Sequence, residues 1–166
     1  MPGGNQHAFV SGSGGMMGGM DVDLGTLGGT NGIAYCINNA GNAHGLDPIQ
    51  TGSLDDWDAM IDGNIKGLLY VSKAIIPKMT ARKSGHIINI GSTAAKEVYP
   101  NGNVYCATKH AVDALNQGMR IDLNSFGIRV GAIHPGMVST EFSSIRFKGD
   151  EEKAHNVYKG FTPLYA

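Results

Sequence analysis

Gly85-His86-Ile87-Ile88-Asn89-Ile90-Gly91-Ser92 is the run that sets the reading of this chain. Its centre, His86 to Ile90, is short and rich in β-branched residues, and Ser84-Gly85 and Gly91 punctuate it on both sides. That predicts a strand. On its N-terminal side, Ile65, Leu68, Leu69, Ser72, Ile75, Ile76 and Met79 recur at helical spacing, with Pro77 expected to bend that helix near its end. Further back, Ser53 and Asp56 form a capping box that opens a helix at Leu54. Ile33 to Ile37 is a second β-leaning run, ending in the loop-forming Asn38-Asn39-Ala40-Gly41. On the C-terminal side a helix is expected from about Val104 to Asn124. Ala107, Ala111, Leu115, Met119 and Leu123 make its apolar stripe, and Gly127 its cap. Ile128 to Ile133 reads as a third strand stopped by Pro135-Gly136, and Lys148 to Gly160 as a short polar helix.

Strand, helix, strand, helix, strand implies an α/β chain with parallel strands, right-handed crossovers and helices on the sheet faces. In such sheets ligands gather at the carboxyl ends of the strands. All three predicted strands end in small or polar residues: Asn38-Asn39, Gly91-Ser92 and His134-Pro135-Gly136.

Composition narrows the function. The 166 residues suit a single domain, and the formal net charge of -1 comes from scattered Lys and Arg with no basic stripe. A nucleic-acid partner is therefore not expected. Apolar runs such as Gly67 to Val71 fall far short of a bilayer span, and no charged region followed by an apolar stretch marks the start as a leader. A cytoplasmic protein is expected, with no membrane partner. Cys36 and Cys106 lack CxxC spacing and read as small buried hydrophobes in a reducing compartment. The six histidines show no ligand spacing, so no metal site is expected. Eleven of the 25 glycines lie in residues 1–32, which read as a flexible segment preceding a domain at 33–166.

The chemistry centres on Tyr105-Cys106-Ala107-Thr108-Lys109. Positions i and i+4 share a helix face, so the phenol and the ammonium lie side by side. A free tyrosine has a pKa of about 10, and a neighbouring cation pulls it down, which makes a tunable acid/base. Alone this is a weak signal. Ser92 directly follows a strand and is placed to hold a substrate oxygen, although a turn serine reads the same way. Asn64 lies between two helical stretches, where its amide is placed to hold a water against the backbone or to serve only the fold.

Together, NNAG after a strand, Asn64 in NxxG, Ser92 after IINIG, YxxxK and PGMVST after a strand form an ordered pattern. The pattern resembles the short-chain dehydrogenase/reductase family over residues 33 to about 165. Asp55-Asp56-Trp57, Gly102-Asn103-Val104-Tyr105 and Thr140-Glu141-Phe142-Ser143 running into Arg146-Phe147-Lys148-Gly149-Asp150 look most like its NADP-dependent 3-hydroxy acid dehydrogenases. The resemblance implies a partial Rossmann-like, doubly wound parallel sheet holding the family's strands 4 to 6, with its first strands and last strand missing. It also implies an oxidoreductase that moves hydride between NADP (or NAD) and a small hydroxy acid or other alcohol or ketone. Tyr105 would be the acid/base, and Lys109 would tune it and bind the nicotinamide ribose. Ser92 would hold the substrate oxygen, and Asn64 would position a relay water. Pro135, Gly136, Val138 and Thr140 would border the nicotinamide, and Asn39, Ala40 and Gly41 the adenine-ribose side. Arg146 and Lys148 are placed to meet a substrate carboxylate, or to stand as solvated charges. The helices carrying Asn64 and Tyr105 would build a homo-oligomer, the family's tetramer.

The sequence departs from that family at its start. The family's TGxxxGxG turn has its nearest counterpart in Ser11-Gly12-Ser13-Gly14-Gly15-Met16-Met17-Gly18, where Met16 replaces a glycine. Too few residues then separate it from NNAG for the intervening strands and helices. An exposed edge is therefore expected at the Ile33 strand, and the alternative reading is a catalytically silent chain that only associates with like chains.

Overall fold

The computed structural model describes residues 35–160 and 164–165. The glycine-rich segment 1–32 and the first two residues of the Ile33 run lie outside the described residues. Three strands, β1 (Tyr35–Asn38), β2 (Gly85–Ile90) and β3 (Ile128–Ile133), form a parallel sheet in the order β1-β2-β3. The register brings Cys36, Ile87 and Val130 abreast, so one face carries Cys36, Ile87, Asn89, Ile128 and Val130. The opposite face leaves Tyr35 and Ile37 of β1 more than 60% exposed and Ile133 53% exposed. Among the described residues β1 is an edge strand, with Tyr35 and Ile37 as its exposed apolar side chains.

The crossovers are helical. α1 (Leu54–Ile61) opens where expected, with the Ser53 hydroxyl accepting from the Asp56 amide at 3.4 Å. A five-residue π-helical turn, Asp62–Lys66, joins it to α2 (Gly67–Arg82). α2 continues through Pro77 and ends at Lys83, whose φ of 56° is left-handed. α3 (Asn103–Leu123) links β2 to β3, and Gly127 takes the left-handed cap at φ 71°. Ile75 and Met79 of α2 and Leu123 of α3 pack on Ile87, Ile128 and Val130. Ile87 is fully buried at the centre of the sheet. Ile87→Ala is expected to lower the unfolding free energy by about 2–5 kcal/mol, measured by urea denaturation.

Three expectations need correction. The buried row of α3 is Tyr105, Lys109, Val112 and Asn116, flanked by Cys106 and Thr108; of the expected stripe Leu123 is buried in the core with Met119 packed against it, Ala111 and Leu115 are half-buried and Ala107 is exposed. α3 turns its functional polar residues inward toward the strand ends, so apolarity marks a neighbouring face instead. The segment after Pro135-Gly136 is also more structured than expected. β4 (Val138–Ser139) pairs in parallel with β5 (Leu164–Tyr165), and α4 (Phe142–Arg146) precedes the final helix. That helix, α5 (Glu151–Asn156), is shorter than the expected span because the Asp150 carboxylate caps it by accepting from the Lys153 amide at 3.1 Å.

Candidate active site

The carboxyl ends of β1, β2 and β3 converge with the first turns of α3. Beyond β2 the parallel ladder continues for two residues, with Gly91 N donating to Ile133 O (2.8 Å) and Thr93 N to Pro135 O (3.0 Å). This pins Ser92 in extended backbone between them. The Ser92 hydroxyl accepts from Ala94 N at 3.1 Å, opening a short 3-10 helix at Thr93–Ala95. With that lone pair engaged, its O–H remains available to donate.

Tyr105 is 9% exposed and packs on the Phe142 ring, with centroids 6.0 Å apart. Burial raises its pKa. A hydrogen bond with Ser92 and the Arg146 charge act in the opposite sense, while Tyr99 adds to the rise. The expected lowering by Lys109 is absent from these influences. The ammonium stands 5.9 Å from the Tyr105 ring centroid and donates instead to Ile90 O at 3.2 Å. Lys109 is 7% exposed, and burial brings its pKa down to about 8.

Asn64 sits in the π-turn and is 2% exposed. Its carbonyl accepts from Asn42 N (2.7 Å), and its amide donates to Asn42 O (2.9 Å) and Thr108 Oγ1 (2.9 Å). The side chain thus clamps the loop after β1 onto α3. Gly41 makes the clamp possible, because a Cβ there would stand 2.9 Å from Asn64 Oδ1 and 3.5 Å from Lys109 Nζ. Asn64, Lys109 and Gly41 therefore meet at one point, and Ser92 and Tyr105 at another, the two joined through one turn of α3. Asn39 and Ala40 lie exposed on the same loop, and Pro135 and Gly136 follow β3. A Cβ at Gly136 would find only Thr93 Cγ2, at 4.0 Å, so the floor there is open. Val138 and Thr140 are engaged locally: Val138 O accepts from Tyr158 OH (3.2 Å) and Thr140 Oγ1 from Phe142 N (3.2 Å).

Arg146 and Lys148 part company. Lys148 pairs with Asp56 at 2.8 Å on the exposed surface. Arg146 is only 6% exposed; it donates to Gly45 O (2.8 Å) and Tyr99 OH (3.0 Å), and its guanidinium lies 5.5 Å from the Tyr105 ring centroid. It lines a cleft with His44, Trp57, Met60, Gly102 and Tyr105. The sequence reading missed several supporting groups. Asn38, Asn89 and Asn116 form a chain of amide hydrogen bonds (2.7 and 3.0 Å) from β1 through β2 to α3. The signal was an asparagine in the middle of an apolar strand. Tyr99 and His134 carried none.

The donor set suits a nicotinamide nucleotide. Only one of the three Lys109 protons has an acceptor described here, and Gly41 and Gly136 leave bare backbone on either side of it. The parallel α/β sheet places Ser92, Tyr105 and Lys109 near its strand ends. Residues 26–151 match the short chain dehydrogenase family, and the chain belongs to it. It is similar to the NADP-dependent 3-hydroxy acid dehydrogenase YdfG of Salmonella typhi, 52% identical over 133 residues that cover 80% of this chain and 54% of that protein. An NADP-dependent 3-hydroxy acid dehydrogenase of Schizosaccharomyces pombe is 41% identical, covering 80% and 51%. Among solved structures, the closed form of serine dehydrogenase complexed with NADP+ superposes with a TM-score of 0.77 at 48% identity, over 80% of this chain and 54% of that one. The chain spans about half the length of the curated relatives it matches.

Proposed function

We propose that this chain carries the catalytic half of an NADP-dependent oxidoreductase acting on a small hydroxy acid. The observation that carries the proposal is the buried Tyr105 phenol near the strand ends, with the Lys109 ammonium 5.9 Å from its ring and the Ser92 hydroxyl opening the turn after β2. Lys109, with Gly41, Pro135 and Gly136 around it, holds the nicotinamide nucleotide, NADP by likeness and NAD as the lesser choice. Bound there, that group supplies the hydride acceptor or donor. Ser92 donates to the substrate oxygen and stabilises its developing charge. Tyr105 passes a proton to or from that oxygen, and Asn64 positions a water that relays the proton from Lys109 to solvent. Asn39 and Ala40 border the adenine-ribose side, and Val138 and Thr140 close over the nicotinamide once the segment after β3 shifts.

Because burial keeps the phenol protonated, Tyr105 is ready as an acid at neutral pH and reluctant as a base. Carbonyl reduction is expected to be flat with pH through neutrality, whereas alcohol oxidation accelerates as pH rises. Steady-state pH profiles in the two directions check this. Arg146 favours an acid over a neutral alcohol: a buried guanidinium bonded only to neutral acceptors among the described residues is incompletely compensated, and a carboxylate completes it. Arg146→Met is expected to raise KM for a 3-hydroxy acid by about 10- to 100-fold, on the scale of one charge-assisted hydrogen bond, and to leave a neutral alcohol's KM unchanged.

No helix among the described residues is long and apolar enough to cross a membrane. Leu69, Tyr70 and Ile121 leave exposed apolar surface on α2 and α3, which supports a homo-oligomer, a tetramer by likeness. Fluorescence titration with NADPH, followed by turnover of 3-hydroxy acids, tests the whole reading. Saturable binding with turnover supports it, while a folded chain that binds none leaves the silent alternative.

A further inference from the structure

The sheet changes character near its carboxyl ends. Cys36, Ile87 and Val130 lie abreast in the register, and the next rung on that face is Asn38, Asn89 and Ala132. Two of the three are amides, set directly beside a rung whose centre, Ile87, is fully buried. Asn38 Nδ2 donates to Asn89 Oδ1 (2.7 Å) and to Ser72 Oγ on α2 (3.3 Å), and Asn89 Nδ2 donates to Asn116 Oδ1 on α3 (3.0 Å). Asn89 is wholly buried and Asn116 is 6% exposed. Apolar contact is non-directional and tolerates a slide of one element along another, whereas a hydrogen bond holds only over a narrow range of distance and angle. A slide here would leave a buried donor and a buried acceptor unpaired. The bond therefore fixes how far α3 sits along β2. Asn116 follows Lys109 by about two turns, so the two share the inward face of α3. The Lys109 ammonium in turn reaches the carbonyl of Ile90, the residue after Asn89.

We infer that Asn89 and Asn116 are positioning residues: their amide bond is a register pin that sets Lys109 at the strand ends, acting through Lys109 and not on the substrate. A slip of one residue along the helix axis is about 1.5 Å. That would carry the ammonium out of reach of Ile90 O, to which its bond is already 3.2 Å long. Asn38 extends the pin to β1, which leads into the loop that Asn64 clamps at Asn42. One chain of amides thus sets α3, β2 and β1 against one another directly beneath the site.

The role rests on the oxidoreductase reading, but the pin is testable without turnover. Asn116→Ala strands the Asn89 amide in the core. Asn89→Val combined with Asn116→Ala removes both partners at nearly constant total volume and suits strand and helix alike. The double variant should therefore resist urea better than Asn116→Ala alone. Positioning should not recover with stability. In the double variant the Lys109 13Cε titration should move from about 8 toward 10.5 as the ammonium gains water. Its kcat should stay about tenfold below wild type, the scale of one hydrogen bond, at unchanged KM for a hydroxy acid. KM is spared because Arg146 is held by Gly45 and Tyr99, neither of them in the amide chain. Asn116→Asp keeps the accepting oxygen opposite Asn89 and should retain both the wild-type titration and kcat. A double variant with wild-type titration and kcat would overturn the pin, as would Asn116→Asp matching the double variant. A double variant that does not fold would make the pair a requirement of the fold and overturn it too. A displaced titration in chains that turn over nothing would refute the enzyme reading and leave the pin standing.

Discussion

Tyr105→Phe is expected to lower kcat in both directions by about 10²- to 10⁴-fold, the range that a positioned acid/base contributes, while NADPH binding and the fold persist. The reasoning is local. Phenylalanine keeps the ring that packs on Phe142 and lies beside Arg146, and it removes only the phenolic oxygen. Deleting that oxygen leaves the Ser92 hydroxyl still accepting from Ala94 N, so the loss costs the fold little. Circular dichroism and the thermal midpoint should therefore match wild type. Residual turnover within a factor of a few would mean that another group moves the proton, and Tyr105 would lose its assigned role.

Lys109→Met is the second large effect, and it works in two opposed directions. Turnover should collapse, because the ammonium that holds the nucleotide and passes the proton is gone. Stability should rise. Lys109 titrates near 8 in the fold and at 10.5 when exposed, a difference caused by burial of the charge. Between those values the unfolded chain binds more protons than the native one, so native stability increases with pH there, and below pH 8 the full penalty applies. That penalty is about 3 kcal/mol. The variant should thus be more stable than wild type by up to about that amount at pH 7, with the advantage shrinking above pH 8. The comparison is cleanest below pH 9. Beyond that, the half-buried Cys36 thiol, pushed up to about 11 by burial, makes both chains lose stability as pH rises. Urea denaturation of the two chains from pH 6 to 9 decides the matter. A destabilised variant at pH 7 would show that the bond to Ile90 O outweighs the burial of the charge.

Much of the frame could be read from residue order because its signals are local. The Ser53–Asp56 cap, the glycines around β2 and the Pro135-Gly136 stop each act within a few residues, and the structure puts α1, β2 and β3 where they indicated. The face of α3 was misjudged because its buried side holds a phenol, an ammonium and an amide, which periodicity counts as solvent-facing. From Val138 to Arg146 the segment gave no sequence signal for another reason, whereas α5 falls inside the helix expected at Lys148 to Gly160. The short helix and two-residue strand of 138–146 are held by distant partners, such as Ser143 with Tyr158 and Arg146 with Gly45, rather than by their own propensity. Ser92, Tyr105, Lys109 and Asn64 stood out because their order and spacing form a pattern. Asn116 did not, since its partner Asn89 lies 27 positions away in the chain.

The π-turn at Asp62–Lys66 has a consequence for how such a site tolerates change. An α-helix advances about 100° per residue, and a π-turn accommodates one residue more than an unbroken α-helix would. That surplus residue lets α1 aim Met60 at the cluster beneath Tyr105 while α2 aims Leu68, Ser72, Ile75 and Met79 inward along its own face. Loss of any single codon within the turn would restore one continuous helix and swing the two halves out of phase, whichever residue were lost. Replacement of the exposed Lys66 would not. A scan of one-residue deletions and substitutions through this stretch should therefore separate length from identity, with the deletions uniformly inactive.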